Sequence, residues 1–430
     1  MKSPNVNTPA PPSRTAEKLA IHGGPKSVEK PQRDRWRSVR LRDTLPILNY
    51  VRLDKTTAVT GGECVRPFEQ RYARLACSDY ALAMNSGTAT IHSALFAVGV
   101  GPGDEVILPT YTFNASAAAV RCCGANCVFC DIDLNTLNAD PEDIERKITP
   151  RTKAILVVHI WGNPAKLDVI KRIAEKHSLP LIEDCSHAHG AEYLGKSVGA
   201  WGDIGCFSLQ ASKAVSGGEC GIAVCSDPVL YDRMLALGHP FRIRVNQKAA
   251  SFDLGNSVLG PKYRPHMYAI PLAAGGLRRL PKLNRLRQRN WDILCEEMAD
   301  TPGVRVPGTL PDAVRGGFLK FVFVLEPELP CHRDEFLHAA VAEGVPLKSD
   351  LYSPLHKQNI FRQEGALTAA LLEAAKNDFG PPEHLPNMDI IEDRVIALPP
   401  LTKVTEKYLR ECARGIKKVA HHFHAAGECA

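Results

Sequence analysis

The 430 residues, 44% hydrophobic and 23% charged, have the composition of an ordinary globular protein and exceed the length that one hydrophobic core serves, so two domains are expected. A formal net charge of +6 without a dense Lys/Arg run speaks against a nucleic-acid partner, and the longest apolar run, near 154–161, is far too short to span a membrane. The 14 cysteines are scattered along a chain with no apolar leader, which suits reduced thiols in the cytoplasm.

Residues 1–31, rich in Pro, Ser, Asn and charge, read as a disordered or loosely packed lead-in. Residues 32–280 read as a large α/β domain. An amphipathic stretch from Arg66, with Phe68, Tyr72 and Leu75 on one face, predicts a helix, and Tyr80 to Met84 predict a short strand. Asn85-Ser86-Gly87-Thr88 then runs straight into a helical pattern, leaving free N–H groups where phosphate binds well. Simple helix capping explains Ser86 or Thr88 about equally. Strands follow at 103–109, 125–131, 153–160 and 180–184, with helices over 112–122 and from Pro164 between them. This alternation predicts a mostly parallel sheet wrapped by helices.

Ligands of such sheets collect at the C-terminal ends of strands, where Asp184 falls. A buried carboxylate there needs a partner: the ring nitrogen of a pyridine cofactor is one, a helix cap or salt bridge another. His187 and His189 follow beside Cys185, a grouping that raises zinc, but no second cluster stands at a suitable spacing. Cys127-Val128-Phe129-Cys130 lies in a predicted strand, where residues three apart point to opposite faces, so no metal site is expected. The apolar run 204–209 predicts a buried strand that delivers Lys213 into a Ser/Gly-rich loop. A lysine held near apolar walls loses its proton more easily and can form a Schiff base with a carbonyl; seen alone, it is far more often a surface turn residue. The Gly-rich patterns of dinucleotide and nucleotide triphosphate sites are absent, which lowers the dehydrogenase and kinase readings.

A strand at 222–226 and a helix at 227–238 precede 239–262, which reads as an irregular loop over an active site or across a subunit boundary. A long helical stretch with Leu283, Leu286, Ile293 and Leu294 leads away from the large domain. A strand at 318–325, a helix at 333–343 and a last helix with Leu409, Cys412, Ile416 and Val419 on one face then make 281–430 a small α+β domain.

Taken in order, Asn85-Ser86-Gly87-Thr88, Tyr111-Thr112-Phe113, Glu183-Asp184-Cys185-Ser186-His187-Ala188, Phe207-Ser208, Lys213 with Gly217-Gly218-Glu219-Cys220-Gly221, and Lys262-Tyr263-Arg264-Pro265-His266 resemble the DegT/StrS family. These are fold-type I aminotransferases that use pyridoxal 5′-phosphate. The resemblance runs from about Leu19 to the last helix. It implies an aspartate aminotransferase-like large domain with a seven-stranded type of sheet, and a homodimer with the active site at the subunit interface. By the same resemblance Lys213 is the lysine that joins the cofactor and shuttles a proton, Asp184 pairs with the pyridine nitrogen and His187 lies near the phenolic oxygen. Phe113 is implied to stack on the pyridine face, Ser86, Gly87, Thr88 and Ser208 to form the phosphate cup, and Arg264 to reach a phosphate across the subunit boundary. Cys220 stands where relatives carry glycine, and no role is assigned to Trp161-Gly162-Asn163.

The activity so implied is a ping-pong transamination from glutamate or glutamine to a keto-sugar, nucleotide-linked in the leading reading. A ketocyclitol of the inosose type is the alternative within the class. Related sugar dehydratases carry histidine in place of Lys213, which disfavours that route. From a different class, a pyridoxal phosphate-binding regulatory protein without turnover keeps the same residues.

Overall fold

The computed structural model describes residues 17–55, 61–62, 64–239, 241–243, 260–349, 352–361 and 384–428. Seven short strands form the central sheet: β1 (Tyr80–Met84), β2 (Glu105–Pro109), β3 (Asn126–Cys130), β4 (Thr152–Val158), β5 (Leu181–Asp184), then β8 (Ile204–Ser208) and β9 (Gly221–Cys225). Between β5 and β8, β6 (Glu192–Tyr193) and β7 (Lys196–Ser197) pair in a separate small sheet with β11 (Ala313–Val314). The order across the central sheet is β1-β9-β8-β5-β4-β2-β3. Only β9 runs against its neighbours, so β1 and β8 point the same way on either side of it and the other six strands are parallel.

The strands are apolar throughout because both faces are covered. Their side chains alternate between two cores: Leu82, Val106, Leu156 and Ile182 enter one, Ala83, Ile107, Val157 and Leu181 the other. Helices α3 (Gly87–Ala97), α4 (Ala115–Cys122) and α7 (Pro228–Ala236) pack on the first face, while α2 (Val65–Leu75) and α6 (Leu167–Lys176) pack on the second. Helix α4 starts later than the sequence suggests, which leaves Tyr111 to Phe113 in the turn at the end of β2.

Helix α8 (Ala269–Met298), 30 residues long, serves both domains. Its first half, with Ile270, Leu277 and Leu280, covers the large sheet, and its second half, with Trp291 and Leu294, enters a third core. The boundary expected at 280/281 therefore falls inside a continuous helix. The second domain's sheet, β10 (Val304–Arg305), β12 (Phe321–Leu325) and β13 (Val395–Leu398), also has two apolar faces: Phe321 and Phe323 look into the third core, Val322 and Val324 into the first. The terminal helix, Glu406–Glu428, closes the third core with Leu409, Cys412, Ile416 and Val419.

The expected loose lead-in needs correction where it is described. Leu19 and Val28 are 1% exposed and belong to the third core. Buried Glu343 gathers this segment by accepting hydrogen bonds from Ala20 N (2.7 Å), Ser27 N (3.0 Å) and the Ser27 hydroxyl (2.9 Å). Lys418 Nζ, 2.9 Å from the same carboxylate, supplies the counter-charge. A polar composition hid this packing because a buried carboxylate, and not an apolar stripe, holds it. Most of the loop expected over 239–262 lies outside the described residues.

Candidate active site

All six parallel strands end at one edge of the sheet, and the chain places small or polar residues just past those ends. After β1, Ser86 caps α3 with its hydroxyl, which accepts from Ala89 N at 3.1 Å. The N–H groups of Gly87 and Thr88 have no partner among the described residues and mark the positive end of the helix. Gly87 lies against Ser208, the last residue of β8: a Cβ on Gly87 would sit 2.7 Å from the Ser208 Cβ. Two amides and a hydroxyl thus converge in a cradle too tight for a side chain, a donor set suited to phosphate.

Asp184, 5% exposed at the end of β5, accepts from the Ser116 hydroxyl and from Ser186 N, both at 3.0 Å. Two donors leave a carboxylate with further acceptor capacity. Lys213 N donates to Gln210 O at 2.9 Å in the turn after β8, and the lysine side chain is half-buried. Burial pulls its ammonium down to about 8, against the opposing pull of the Asp184 carboxylate. A lysine so tuned offers a useful fraction of free amine at neutral pH.

Cys220, where the resemblance leads to the expectation of glycine, does not need glycine's freedom. The left-handed backbone of this loop falls on Gly218 (φ 89°), and Cys220 is fully buried against the second core.

His187 is buried, and burial together with the positive Lys213 holds its imidazole well below the ordinary value. Trp161 N–H donates to its Nδ1 at 3.3 Å, and its Nε2 lies 3.1 Å from the Tyr352 hydroxyl. His189 is engaged between the Tyr72 hydroxyl at Nδ1 (2.8 Å) and Ser208 O at Nε2 (2.9 Å), and burial takes it down to about 3. Neither ring has a lone pair left over for a shared metal. One buried trio among the described residues, His159, Glu183 and Cys185, brings its ligand atoms within 4.8 Å of one another. It is saturated by protein: Ala165 N–H donates to His159 Nδ1, so Nε2 carries the proton and donates to Glu183 at 3.1 Å. Burial pushes the Cys185 thiol well up, away from the thiolate that a metal requires.

Phe113 is 52% exposed, and its ring is tilted against Tyr352 with centroids 5.7 Å apart. The Arg264 guanidinium lies 5.7 Å from the centre of the exposed Phe241 ring, and the preceding residue, Tyr263, accepts from Asn85 N at 2.9 Å beside the phosphate cradle. Two aromatic residues at the site were assigned no role from sequence. Trp161 has a left-handed backbone (φ 55°), a conformation costing about 1–2 kcal/mol for a non-glycine residue. Gly162 beside it allows the approach, since a Cβ there would meet Gly316 O at 2.2 Å. That glycine was the one available clue. Tyr352 comes from the second domain, 165 positions from His187. A cleft of about 400 Å³ has Lys213 in its wall, with Gln32, Trp36, Ser212, Arg287 and Tyr408 among the rest.

With this geometry described, comparison with known proteins is informative. A sequence model described as the DegT/DnrJ/EryC1/StrS aminotransferase family matches residues 47–411. The chain is 36% identical over 330 residues, 74% of this chain and 77% of the relative, to an L-glutamine:2-deoxy-scyllo-inosose aminotransferase of Streptomyces kanamyceticus. It is 32% identical over 373 residues, 82% of this chain and 94% of the relative, to a dTDP-4-dehydro-2,3,6-trideoxy-D-glucose 4-aminotransferase of Saccharopolyspora spinosa. Among solved structures, DesI crystallised with its TDP-sugar product superposes with a TM-score of 0.78 at 27% identity, covering 96% of this chain and 98% of that one.

Proposed function

The chain belongs to the DegT/DnrJ/EryC1/StrS aminotransferase family and is a pyridoxal phosphate-dependent transaminase of the sugar and aminocyclitol type; from that premise we propose that it moves the amino group of glutamine to the ring ketone of an inosose-type cyclitol. The similarity to the glutamine-dependent inosose aminotransferase carries this choice, and the wall of the cleft that meets the site only at Lys213 agrees with it. Its guanidinium, Arg287, is committed to Gly317 O, Phe318 O and Thr402 Oγ1, and its carboxylate, Asp34, to the N–H groups of Trp36, Thr402 and Lys403. Among the described lining residues, no uncommitted cation other than Lys213 awaits a diphosphate. A neutral, hydroxyl-rich ring suits such a wall better. The glutamine-dependent inosose aminotransferase named above supports the same order. A nucleotide-linked keto-sugar is the second reading, favoured by the sugar nucleotide aminotransferase and by DesI, and it requires its phosphates to be met from elsewhere.

The residues fit the cofactor. Gly87, Thr88 and Ser208 would hold its phosphate, Asp184 its ring nitrogen, and Phe113 one ring face. When bound, pyridoxal phosphate supplies an electron sink that takes up the donor's amino group and later releases it to a ketone. Asp184 keeps a proton at the pyridine nitrogen, and Lys213 Nζ moves the proton at the substrate carbon. The aromatic wall of buried Trp161 and half-buried Tyr352 helps to keep water from that carbon. A homodimer belongs to the same proposal, with Arg264 reaching a phosphate in the second copy; no partner of its Nε is found among the described residues. Buried thiols such as Cys185 and Cys206 support a reducing, cytoplasmic setting.

The test is spectroscopic. Glutamine added to the cofactor-loaded protein bleaches the visible band of lysine-bound cofactor, and 2-deoxy-scyllo-inosose restores it faster than a dTDP-4-keto-sugar does. Restoration by the sugar nucleotide alone moves the second reading ahead, and a band that no donor bleaches leaves a binding protein without turnover.

A further inference from the structure

The phosphate cradle is supported from outside the residues that form it. The chain over 262–266 has no regular secondary structure, yet it is pinned against the turn that enters α3. Asn85, the residue before Ser86, donates its backbone N–H to Tyr263 O at 2.9 Å and its side-chain amide to Lys262 O at 3.4 Å. Tyr263 N donates in turn to Gly238 O at 3.3 Å, and a Cβ on Gly238 would come within 2.9 Å of the Tyr263 Cβ. The carbonyls of Lys262 and Tyr263 therefore fix where Asn85 sits, and Asn85 leads directly into the amides of Gly87 and Thr88.

The Tyr263 side chain is held by a bond of its own. Its hydroxyl lies 2.6 Å from His92 Nδ1, and the two rings meet edge to face with centroids 5.8 Å apart at 80°. His92 stands four residues after Thr88, so both side chains project from one face of α3. Burial holds its imidazole below the ordinary value, which leaves a neutral ring with one N–H and one lone pair to offer. The Cys122 carbonyl, at the end of α4, engages the N–H, so Nδ1 is free to accept from the Tyr263 hydroxyl. One hydrogen bond thus ties the 262–263 segment to the helix whose first turn forms the cradle.

We propose that His92 and Tyr263 are positioning residues for the cofactor phosphate: their hydrogen bond holds the 262–263 carbonyls against Asn85 and so keeps the Gly87 and Thr88 amides aimed at one point. The proposal rests on the cofactor reading above and gives neither side chain a contact with the cofactor. Without the bond the segment loses one of its anchors, and the amides sample a wider range of directions. A phosphate then gains less from them, because a first layer of contacts is only as well aimed as the layer that supports it.

The experiment uses the full chain freed of cofactor and two probes, pyridoxal 5′-phosphate and pyridoxal, which differ only in the phosphate. Absorbance titration with each gives a ratio of affinities that reads the phosphate contribution alone. Tyr263→Phe lowers that ratio by about 3- to 10-fold, the range for one neutral hydrogen bond, and leaves the affinity for pyridoxal within roughly twofold. His92→Phe does the same, and the double variant falls no further than either single one, because both substitutions remove the same bond. Thermal midpoints establish that each variant is folded. An unchanged ratio in Tyr263→Phe overturns the proposal, and equal losses for both probes reduce the pair to packing and overturn it as well. Losses that add in the double variant mean that the two residues act separately, which removes the shared role. A wild-type chain that captures both probes without preferring the phosphorylated one sinks the cradle on which the proposal stands, and one that captures neither sinks the cofactor reading itself.

Discussion

Glu183 and Asp184 are neighbours on β5, both buried, yet they face opposite sides of the sheet and live different chemical lives. Glu183 is closed on all sides: His159 Nε2 (3.1 Å), Gly199 N (2.8 Å), Trp201 N (2.8 Å) and Gly202 N (2.7 Å) all donate to it. Asp184 receives two donors and faces Lys213 across the reacting edge. The saturated carboxylate ties the 199–202 loop beneath β8 and so fixes the strand that delivers Ser208 and Lys213. The unsaturated one keeps acceptor capacity for a bound group. Burial alone does not separate scaffold from chemistry here; the count of filled acceptor sites does.

The contrast breaks most clearly at its two extremes. Lys213→Ala removes an amine with no side-chain hydrogen bond to another described residue, so turnover falls by at least about 10⁴-fold, roughly 5.5 kcal/mol, while the thermal midpoint stays within a few degrees. Steady-state turnover beside a melting curve reads both. Glu183→Ala does the reverse: it strands four donors, two of them buried and two part-buried, and costs about 3–5 kcal/mol of stability, read as an earlier midpoint in urea. A Glu183→Ala protein of wild-type stability would falsify the assignment of this side chain as scaffold.

How far each region was legible in sequence follows the same division. Strands bounded by Gly, Pro or charge were plain: Tyr80–Met84 is found as expected, and the run expected over 204–209 forms 204–208. Lys213 was visible because a strand and a Ser/Gly-rich loop frame it. What was hidden depends on charge or on distant contacts. Helix α1 (Leu41–Arg52) was overlooked because its pattern is inverted: Leu41, Leu45 and Leu48 are 85%, 60% and 62% exposed, while Asp43 is 1% exposed and paired with Arg279 at 2.8 Å. Apolar periodicity does not find a helix that is docked by a carboxylate. Trp161 and Tyr352 were hidden for another reason: a left-handed tryptophan and a tyrosine from the second domain meet His187 only after both domains have folded.

A milder change sharpens the comparison without removing either residue. Asp184→Asn keeps the shape and loses the charge, so turnover falls by about 10²- to 10³-fold, the range for one preorganised electrostatic partner, with little change in stability. Glu183→Gln, matched in size, is predicted to show the opposite balance, with modest loss of turnover and a clear fall in midpoint.

The smallest effect is a shift along the pH axis. In the proposed reading Lys213 would join the cofactor's carbonyl only as the unprotonated amine, and burial lowers its titration to about 8. The rate at which cofactor-free protein captures pyridoxal phosphate, followed by stopped-flow absorbance, therefore rises as pH increases through about 8 and levels off above it. Asp184 acts against burial by favouring the ammonium, so in Asp184→Asn that opposing pull is gone and the same rise moves to lower pH. A midpoint that stays fixed in Asp184→Asn means the carboxylate does not reach the amine, and the functional side of β5 loses the coupling that sets it apart from Glu183.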